Sequence, residues 1–190
     1  MKKQHSGTIV QFSSIGGRVG GSAGLGSYQA AKFAVDGLTR VLAAETRPFG
    51  IRCLVVEPSG FATDWAGTSM KVDDIPSDYE DTVGQLAQVL KTDIVKAGDL
   101  RRAAEILVRI VGRRNVPLHL LLGVTATKMA AAYSLAQAAE VELWRHISDP
   151  ADFGQPYPVE MPADNTVKPD EGLPIGLTAM MEQSAKPPNG

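Results

Sequence analysis

The stretch that most limits how this chain can fold runs from a short apolar segment through two serines and a glycine-rich loop into a helix. The apolar segment is Thr8–Phe12, six glycines follow between positions 16 and 26, and helical spacing begins at Ser27. A continuous apolar, β-branched segment bounded by turn residues is typical of a strand covered on both faces of a parallel sheet. The order of strand, loop and helix therefore predicts an α/β protein.

The helix carries a tyrosine and a lysine four residues apart. At this spacing Tyr28 and Lys32 lie on one helix face and can act on the same bound molecule. A phenol has a pKa of about 10 and is a weak acid at neutral pH, and a neighbouring ammonium group stabilises its phenolate. The pair is suited to moving a proton to or from a carbonyl or carbinol oxygen, and a serine at the strand end, Ser13 or Ser14, can hydrogen-bond the same oxygen.

The rest of the chain supplies two more strands and two more long helices. The second and third strands are expected at Ile51–Glu57 and Leu118–Leu122, where the residues are again apolar and β-branched or aliphatic. Asp99 is expected to cap the helix that follows it, and the alanine-rich residues 125–146 are expected to form the last helix.

Several segments resemble the C-terminal half of the short-chain dehydrogenase/reductase family. They read GTIVQFSSIGGRVGG, GSYQAAKFAVDGLTRVLAAETRPFGIRCLVVEPSGFATDW, GDLRRAAEILV and VPLHLLLG. The resemblance implies a partial Rossmann-like, doubly wound α/β domain with about three parallel strands and flanking helices, plus an irregular C-terminal tail. The family's first half, with its pyrophosphate-binding loop, has no counterpart here, so strand 8–12 is expected to form an exposed edge and stability is expected to be marginal.

The resemblance also assigns roles to residues that match the family's motifs. It implies that Tyr28 is the general acid or base, that Lys32 favours its phenolate and holds ribose hydroxyls, and that Ser14 orients the substrate oxygen. The implied cofactor-binding residues are Tyr28, Lys32, Pro58, Ser59, Gly60 and Thr63. Ser59 stands where the family usually has glycine. The resemblance implies NAD or NADP as the cofactor. It does not choose between them, because the residue that makes this choice in the family belongs to the half that has no counterpart here.

The glycine-rich loop allows two interpretations. Gly20, Gly24 and Gly26 imitate the spacing of the family's phosphate-binding loop, but they begin several residues after the strand and not at its end. We therefore interpret residues 16–26 as a flexible loop that shapes the entrance for the substrate.

Residues 64–98 match the part of the family that forms a variable substrate lid, so they do not identify the substrate. Residues 78–91 are predicted to form one amphipathic helix. Trp65 and Met70 are candidates for lining an apolar pocket, and packing in the core is the alternative for each.

Helix 27–46 is a candidate contact between two copies of the chain. Its small residues Ala30, Ala34 and Gly37 allow another helix to approach closely, and the resemblance implies a homo-oligomer through this helix. Packing of the helix in the core is the alternative interpretation.

Composition divides the chain into two parts. Residues 1–148 are expected to form the α/β domain. Residues 149–190 contain eight prolines and keep neither helical nor strand periodicity, so we expect a mostly disordered tail.

Charge and composition argue against several classes of function. The net charge is −2, with both signs interspersed, which disfavours nucleic acid and anionic membrane surfaces as partners. Cys53 is the only cysteine, and His5, His119 and His146 have no partner at metal-ligand spacing, so no metal site is expected. No apolar run reaches membrane-spanning length and no signal peptide is recognisable, which predicts a cytoplasmic protein.

Two functions remain open from the sequence. The first is an NAD(P)-dependent oxidoreductase that transfers a hydride between the nicotinamide and an alcohol or carbonyl substrate. The second is a non-catalytic fragment or an assembly module that pairs through helix 27–46. A serine hydrolase is disfavoured, because no Gly-x-Ser-x-Gly serine is expected on a strand-to-helix elbow.

Overall fold

The computed structural model describes residues 1–61, 63, 74–90 and 98–161. Within these residues three strands, β1 (Gly7–Phe12), β2 (Ile51–Pro58) and β3 (His119–Leu122), form one parallel sheet in the order β1-β2-β3. The predicted α/β fold with a three-stranded parallel sheet is confirmed, and each predicted strand differs from the observed one by a single residue at one end.

Helices connect and flank the strands. The α-helices are α1 (Gly16–Val19), α2 (Gly26–Thr46), α3 (Gln85–Leu90), α4 (Leu100–Val111) and α5 (Val124–Ser148). Short 3₁₀ turns occupy Lys2–Gln4, Arg47–Phe49, Ser77–Tyr79 and Asp149–Ala151, and a π-helical turn occupies Glu80–Gly84.

The central strand β2 is covered on both faces, which explains why its sequence does not alternate. Leu54 and Val56 are fully buried and form a cluster with Leu122 of β3 and partly buried apolar residues of α4. The alternate residues face the other side, where Cys53 lies 3.8 Å from the Thr46 hydroxyl of α2. The five residues 53–57 of β2 are all buried, so each of them is constrained by packing on one face or the other.

A second apolar cluster holds the short helix α1 in place. Ile15 and Val19 are buried against Ala126 and Ala130 of α5, so the loop after β1 packs between two helices. The interpretation of residues 16–26 as one flexible loop is corrected accordingly, because its first four residues form a helical turn on this apolar contact.

The helix boundaries show which local signals were effective. Asp99 caps α4 as predicted, because its carboxylate accepts hydrogen bonds from the amides of Arg101 at 2.9 Å and Arg102 at 3.2 Å. Ser27 is not the N-cap of α2, since the helix begins one residue earlier at Gly26 and shows no side-chain capping bond. In place of one amphipathic helix over 78–91, the chain forms a 3₁₀ turn, a π turn and then α3.

Helix α2 exposes several of its apolar residues and buries three polar ones. Leu38 and Val41 are more than half exposed, while Asp36 and Thr39 on the opposite face are buried. The small residues Ala30, Ala34 and Gly37 are exposed, so within the described chain they do not pack in the core. The inward face of α2 satisfies polar groups through hydrogen bonds, and its outward face is left for contacts beyond the fold described here.

Strand β1 lies at the edge of the sheet, as the sequence predicts. Within the described residues it pairs only with β2, and Phe12 is half exposed. The Thr8 hydroxyl is buried without a hydrogen-bond partner among these residues, which adds a local cost to the edge.

Two predictions concern parts of the chain that are only partly described. The division at residue 148 and the disordered tail over 149–190 stay predictions, because residues 162–190 lie outside the described residues. Trp65 and Met70 also lie outside them. Across the described ranges, none of the helices combines the length and the apolar character that crossing a membrane requires.

Candidate active site

The two serines after β1 have different surroundings. Ser13 is buried, its amide continues the sheet pairing to the Val56 carbonyl at 2.9 Å, and its hydroxyl donates to the Lys32 carbonyl at 2.8 Å. Ser14 is only partly buried, and its hydroxyl oxygen accepts from the Gly16 amide at 3.1 Å. The hydroxyl of Ser14 can still donate its own hydrogen to a bound molecule, whereas that of Ser13 is used within the fold.

The lysine on α2 reaches both the tyrosine and the end of β1. The Lys32 ammonium nitrogen lies 5.7 Å from the centre of the Tyr28 ring and donates to the Phe12 carbonyl at 3.0 Å. One of the three donor positions of the ammonium group is used in this bond, which leaves others for a ligand. The structure thus brings Tyr28 and Lys32 to the strand end that leads into Ser14.

A glycine allows the serine segment to approach α2 this closely. A Cβ atom at Gly17 would overlap the Ser13 hydroxyl and both the side chain and the backbone of Lys32. Glycine is required where two backbones meet at such a distance. The position of Ser14 relative to Lys32 is therefore fixed by direct contact between α1 and α2.

The loop after β2 joins the same edge of the sheet. The Pro58 carbonyl accepts from the Ile15 amide at 3.0 Å, which ties this loop to the residue next to Ser14. The Ser59 amide and hydroxyl both donate to the Leu122 carbonyl, at 3.0 and 3.3 Å. The serine that replaces the family's glycine is thus accommodated by a bond to the end of β3.

The part of the loop that follows Ser59 is bonded to Gly98. The Gly60 carbonyl accepts from the Gly98 amide at 2.9 Å, and Phe61 forms an isolated parallel bridge with Gly98. Thr63 is exposed, and its amide donates to the Phe61 carbonyl at 2.8 Å. Ligands of open α/β sheets bind at the carboxyl ends of the strands, and the candidate residues that precede Thr63 in the chain lie at this edge.

The described part of the lid region packs on the glycine-rich loop. Gly24 has a φ of +82°, and a Cβ atom there would press against Val83 and Leu86. Leu86 is buried. Val83 and Leu86 therefore pack against the loop between Ser14 and Tyr28 at Gly24.

Sequence reasoning missed a group of buried charges behind the site. Arg18 of α1 donates to both carboxylate oxygens of Glu57, with nitrogen–oxygen distances of 2.8–3.2 Å, and Glu57 is fully buried. Asp36 of α2 pairs with the His119 ring nitrogen at 2.7 Å and with Arg40 at 2.8 Å. A glutamate inside an apolar strand is the signal that indicates such a partner, because a buried charge is costly unless it is paired.

The same group has the spacing of a possible metal site. One ligand atom from each of Asp36, Glu57 and His119 lies within 4.8 Å of the others. Both carboxylates already accept hydrogen bonds from arginines, Glu57 from Arg18 and Asp36 from Arg40, so a cation would have to displace existing positive charge. The contacts favour an ion-pair network over a metal centre, and His119 belongs to this network.

A parallel sheet of three strands flanked by helices is a Rossmann-like α/β arrangement. The family model described as short chain dehydrogenase matches residues 1–74. The chain is 41% identical over 149 residues to Oxidoreductase BOA17 of Botryotinia fuckeliana, in a match that covers 78% of this chain and 54% of that protein. Residues 1–74 thus match the short-chain dehydrogenase/reductase family, and the similarity to a named oxidoreductase extends over 78% of the chain.

Two further comparisons agree. The chain is 31% identical over 126 residues to a 3-ketodihydrosphingosine reductase of Bacteroides thetaiotaomicron, covering 65% of this chain and 46% of that protein. The crystal structure of a short-chain dehydrogenase from Streptomyces avermitilis superposes with a TM-score of 0.71 at 31% identity, covering 80% of this chain and 55% of that one. The chain spans about half the length of the relatives it matches. That the matched part is the family's C-terminal half stays a prediction from the motifs.

Proposed function

We propose that this chain performs the proton-transfer part of an NAD(P)-dependent oxidoreductase acting on a small alcohol or carbonyl substrate. The observation that supports it is the placement of the Lys32 ammonium between the Tyr28 ring and the end of β1, two residues before Ser14. These groups match the family's catalytic set in identity and order, and they share one edge of the sheet.

Each residue has a definite task in the proposed reaction. Tyr28 takes the proton from the substrate hydroxyl during oxidation and returns it to the carbonyl oxygen during reduction. Lys32 stabilises the phenolate through its positive charge, and Ser14 donates a hydrogen bond to the substrate oxygen as negative charge develops there. A bound nicotinamide supplies or accepts the hydride.

The residues present fit the nicotinamide end of such a cofactor. Lys32 keeps donor positions for ribose hydroxyls beyond its bond to Phe12, and the side chain of Ser59 is drawn to Leu122 at the end of β3. We propose Tyr28, Lys32 and the Pro58–Gly60 loop, with Thr63, as the cofactor contacts. The proposal covers both NAD and NADP, and the titration below tests both nucleotides.

Replacing Lys32 with methionine is expected to weaken NADH or NADPH binding by about tenfold or more, because a hydrogen bond to a charged group contributes about 1.5–3 kcal/mol. Titration of the full chain, followed by nucleotide fluorescence, measures this. Lys128→Met removes an exposed lysine of α5 and should leave binding unchanged. A folded wild-type chain that shows no saturable binding would instead favour the non-catalytic alternative for this chain.

We also propose that two copies of the chain associate through α2. Leu38 is 64% exposed and Val41 54% exposed on the outward face of this helix, and a side chain at Gly37 would meet open space. An exposed apolar helix face with small residues is a typical contact surface.

A cytoplasmic location of the protein stays a prediction from the sequence.

Leu38→Glu is expected to convert a wild-type dimer into a monomer, because the substitution places a charge in the contact. Sedimentation equilibrium measures the mass of each. The control is Leu135→Glu on α5, since Leu135 is 74% exposed and lies on another helix. A monomeric wild type, or equal effects of the two substitutions, would contradict association through α2.

A further inference from the structure

Helix α2 turns three polar side chains inward, and one of them, Asp36, forms a directional bond to the sheet. Gln29, Asp36 and Thr39 are its buried residues. Apolar packing is not directional and tolerates sliding, whereas a hydrogen bond is effective only within a narrow range of distance and angle. The contact of α1 with α2 at Gly17 fixes one point of the helix, and where the polar face of α2 is bonded to the sheet sets its orientation about that point.

Asp36 bonds the middle of α2 to the sheet. It follows Lys32 by four residues and Tyr28 by eight, so the three side chains lie along one face. Its carboxylate contacts the His119 ring nitrogen at 2.7 Å, which links α2 to β3, the strand farthest from β1 in the sheet. The His119 side chain is 18% exposed, so the contact is largely shielded from water.

The serine segment is tied to the same cluster. Arg18, four residues after Ser14, holds Glu57 with two nitrogens. One carboxylate oxygen of Glu57 lies within 4.8 Å of a carboxylate oxygen of Asp36 and a ring nitrogen of His119. One buried group of charges thus contacts the helix that carries Tyr28 and Lys32 and the helix that follows Ser14. Arg40 also belongs to this group of charges, because it pairs with Asp36.

We infer that His119 is a positioning residue: by holding Asp36 it fixes α2 so that Tyr28 and Lys32 keep their place relative to Ser14. The expected effect on kcat rests on the proposed function. The expected effect on the surroundings of Tyr28 does not, because it requires no turnover.

The test compares two replacements of His119 in the full chain. A glutamine side chain at this position would keep a nitrogen donor near the place of the ring nitrogen, so the substitution His119→Gln should preserve the bond to Asp36. The side chain introduced by His119→Met has a similar length but no donor. His146→Met is the matched control, because His146 is an exposed histidine of α5.

We expect His119→Met to lower kcat about tenfold or more while KM changes less than about twofold, since small misplacements of a catalytic group reduce the rate without removing binding contacts. His119→Gln should recover most of the rate, and His146→Met should equal wild type. The second readout is the ¹³Cζ resonance of Tyr28, assigned with Tyr28→Phe, which should move in folded His119→Met and return in His119→Gln.

An unchanged kcat and an unchanged Tyr28 resonance in folded His119→Met would overturn the inference. Equal losses in His119→Gln and His119→Met would overturn it too, because the donor would then be irrelevant. If the wild-type chain shows no turnover, the proposed function has failed and the Tyr28 resonance alone decides this inference. If His119→Met does not fold, Asp36→Asn replaces it, with a shifted Tyr28 resonance expected and an unchanged one contradicting the inference.

Discussion

Replacing Tyr28 with phenylalanine is expected to lower kcat by about 10²- to 10⁴-fold, the contribution typical of a positioned general acid or base. The substitution removes one oxygen atom and keeps the ring that lies 5.7 Å from the Lys32 ammonium, so folding should be preserved. Steady-state oxidation and reduction with a broad panel of alcohols and ketones, followed through the absorbance of NADH or NADPH, measures the loss. KM should change little, because the hydroxyl acts on the reacting oxygen.

The control for this experiment is Tyr157→Phe, which removes a hydroxyl from a residue that is 81% exposed and lies far along the chain from the site. It should match wild type. If Tyr28→Phe retains the wild-type rate, the turnover observed does not use Tyr28 and the proposed mechanism fails. If neither variant nor wild type turns over while the nucleotides bind, the chain holds the cofactor without completing the reaction.

The parts of the fold that could be predicted are those encoded by neighbouring residues. Strands β1 and β2 are predictable because both are continuous apolar segments, and the start of α4 is predictable because Asp99 caps the helix directly after it. The Tyr28–Lys32 pair follows from a four-residue spacing on a helix. In each case the physical cause lies within one element, so the sequence alone contains it.

The parts that could not be predicted depend on contacts between distant residues. Arg18 and Glu57 are 39 residues apart, and Asp36 and His119 are 83 residues apart. Of the four, only Glu57 is unusual within its own segment, and the sheet order β1-β2-β3 is what brings them together. A buried glutamate in β2 indicates that a partner exists, but not which arginine supplies it.

The orientation of α2 also depends on contacts with distant residues. Its sequence contains an apolar stripe and a polar stripe, and local periodicity cannot say which of them meets the sheet. Asp36 faces inward and pairs with His119, the buried Thr39 hydroxyl donates to the Val35 carbonyl of its own helix, and Leu38 is exposed. The face of a helix that is buried is decided by its partners.

Arg18→Met is expected to lower the free energy of unfolding by about 3 kcal/mol, because it leaves the Glu57 carboxylate buried without its partner. The Glu57 side chain is 0% exposed and that of Arg18 is 23% exposed, which places the effect toward the lower end of the range for buried pairs. Urea denaturation of the full chain, followed by circular dichroism, measures the change. Arg145→Met breaks the exposed pair with Glu142 and should cost less than about 0.5 kcal/mol.

A double replacement separates the cost of a lone buried charge from the value of the pair. With Arg18→Met and Glu57→Met together, no charge remains at this position and apolar side chains of similar length fill the space, so much of the lost stability should return. The double variant should then be more stable than Arg18→Met alone. If instead the two losses add, the pair does not act as a unit, and the link from Glu57 to the segment that carries Ser14 is weaker than the bidentate contact indicates.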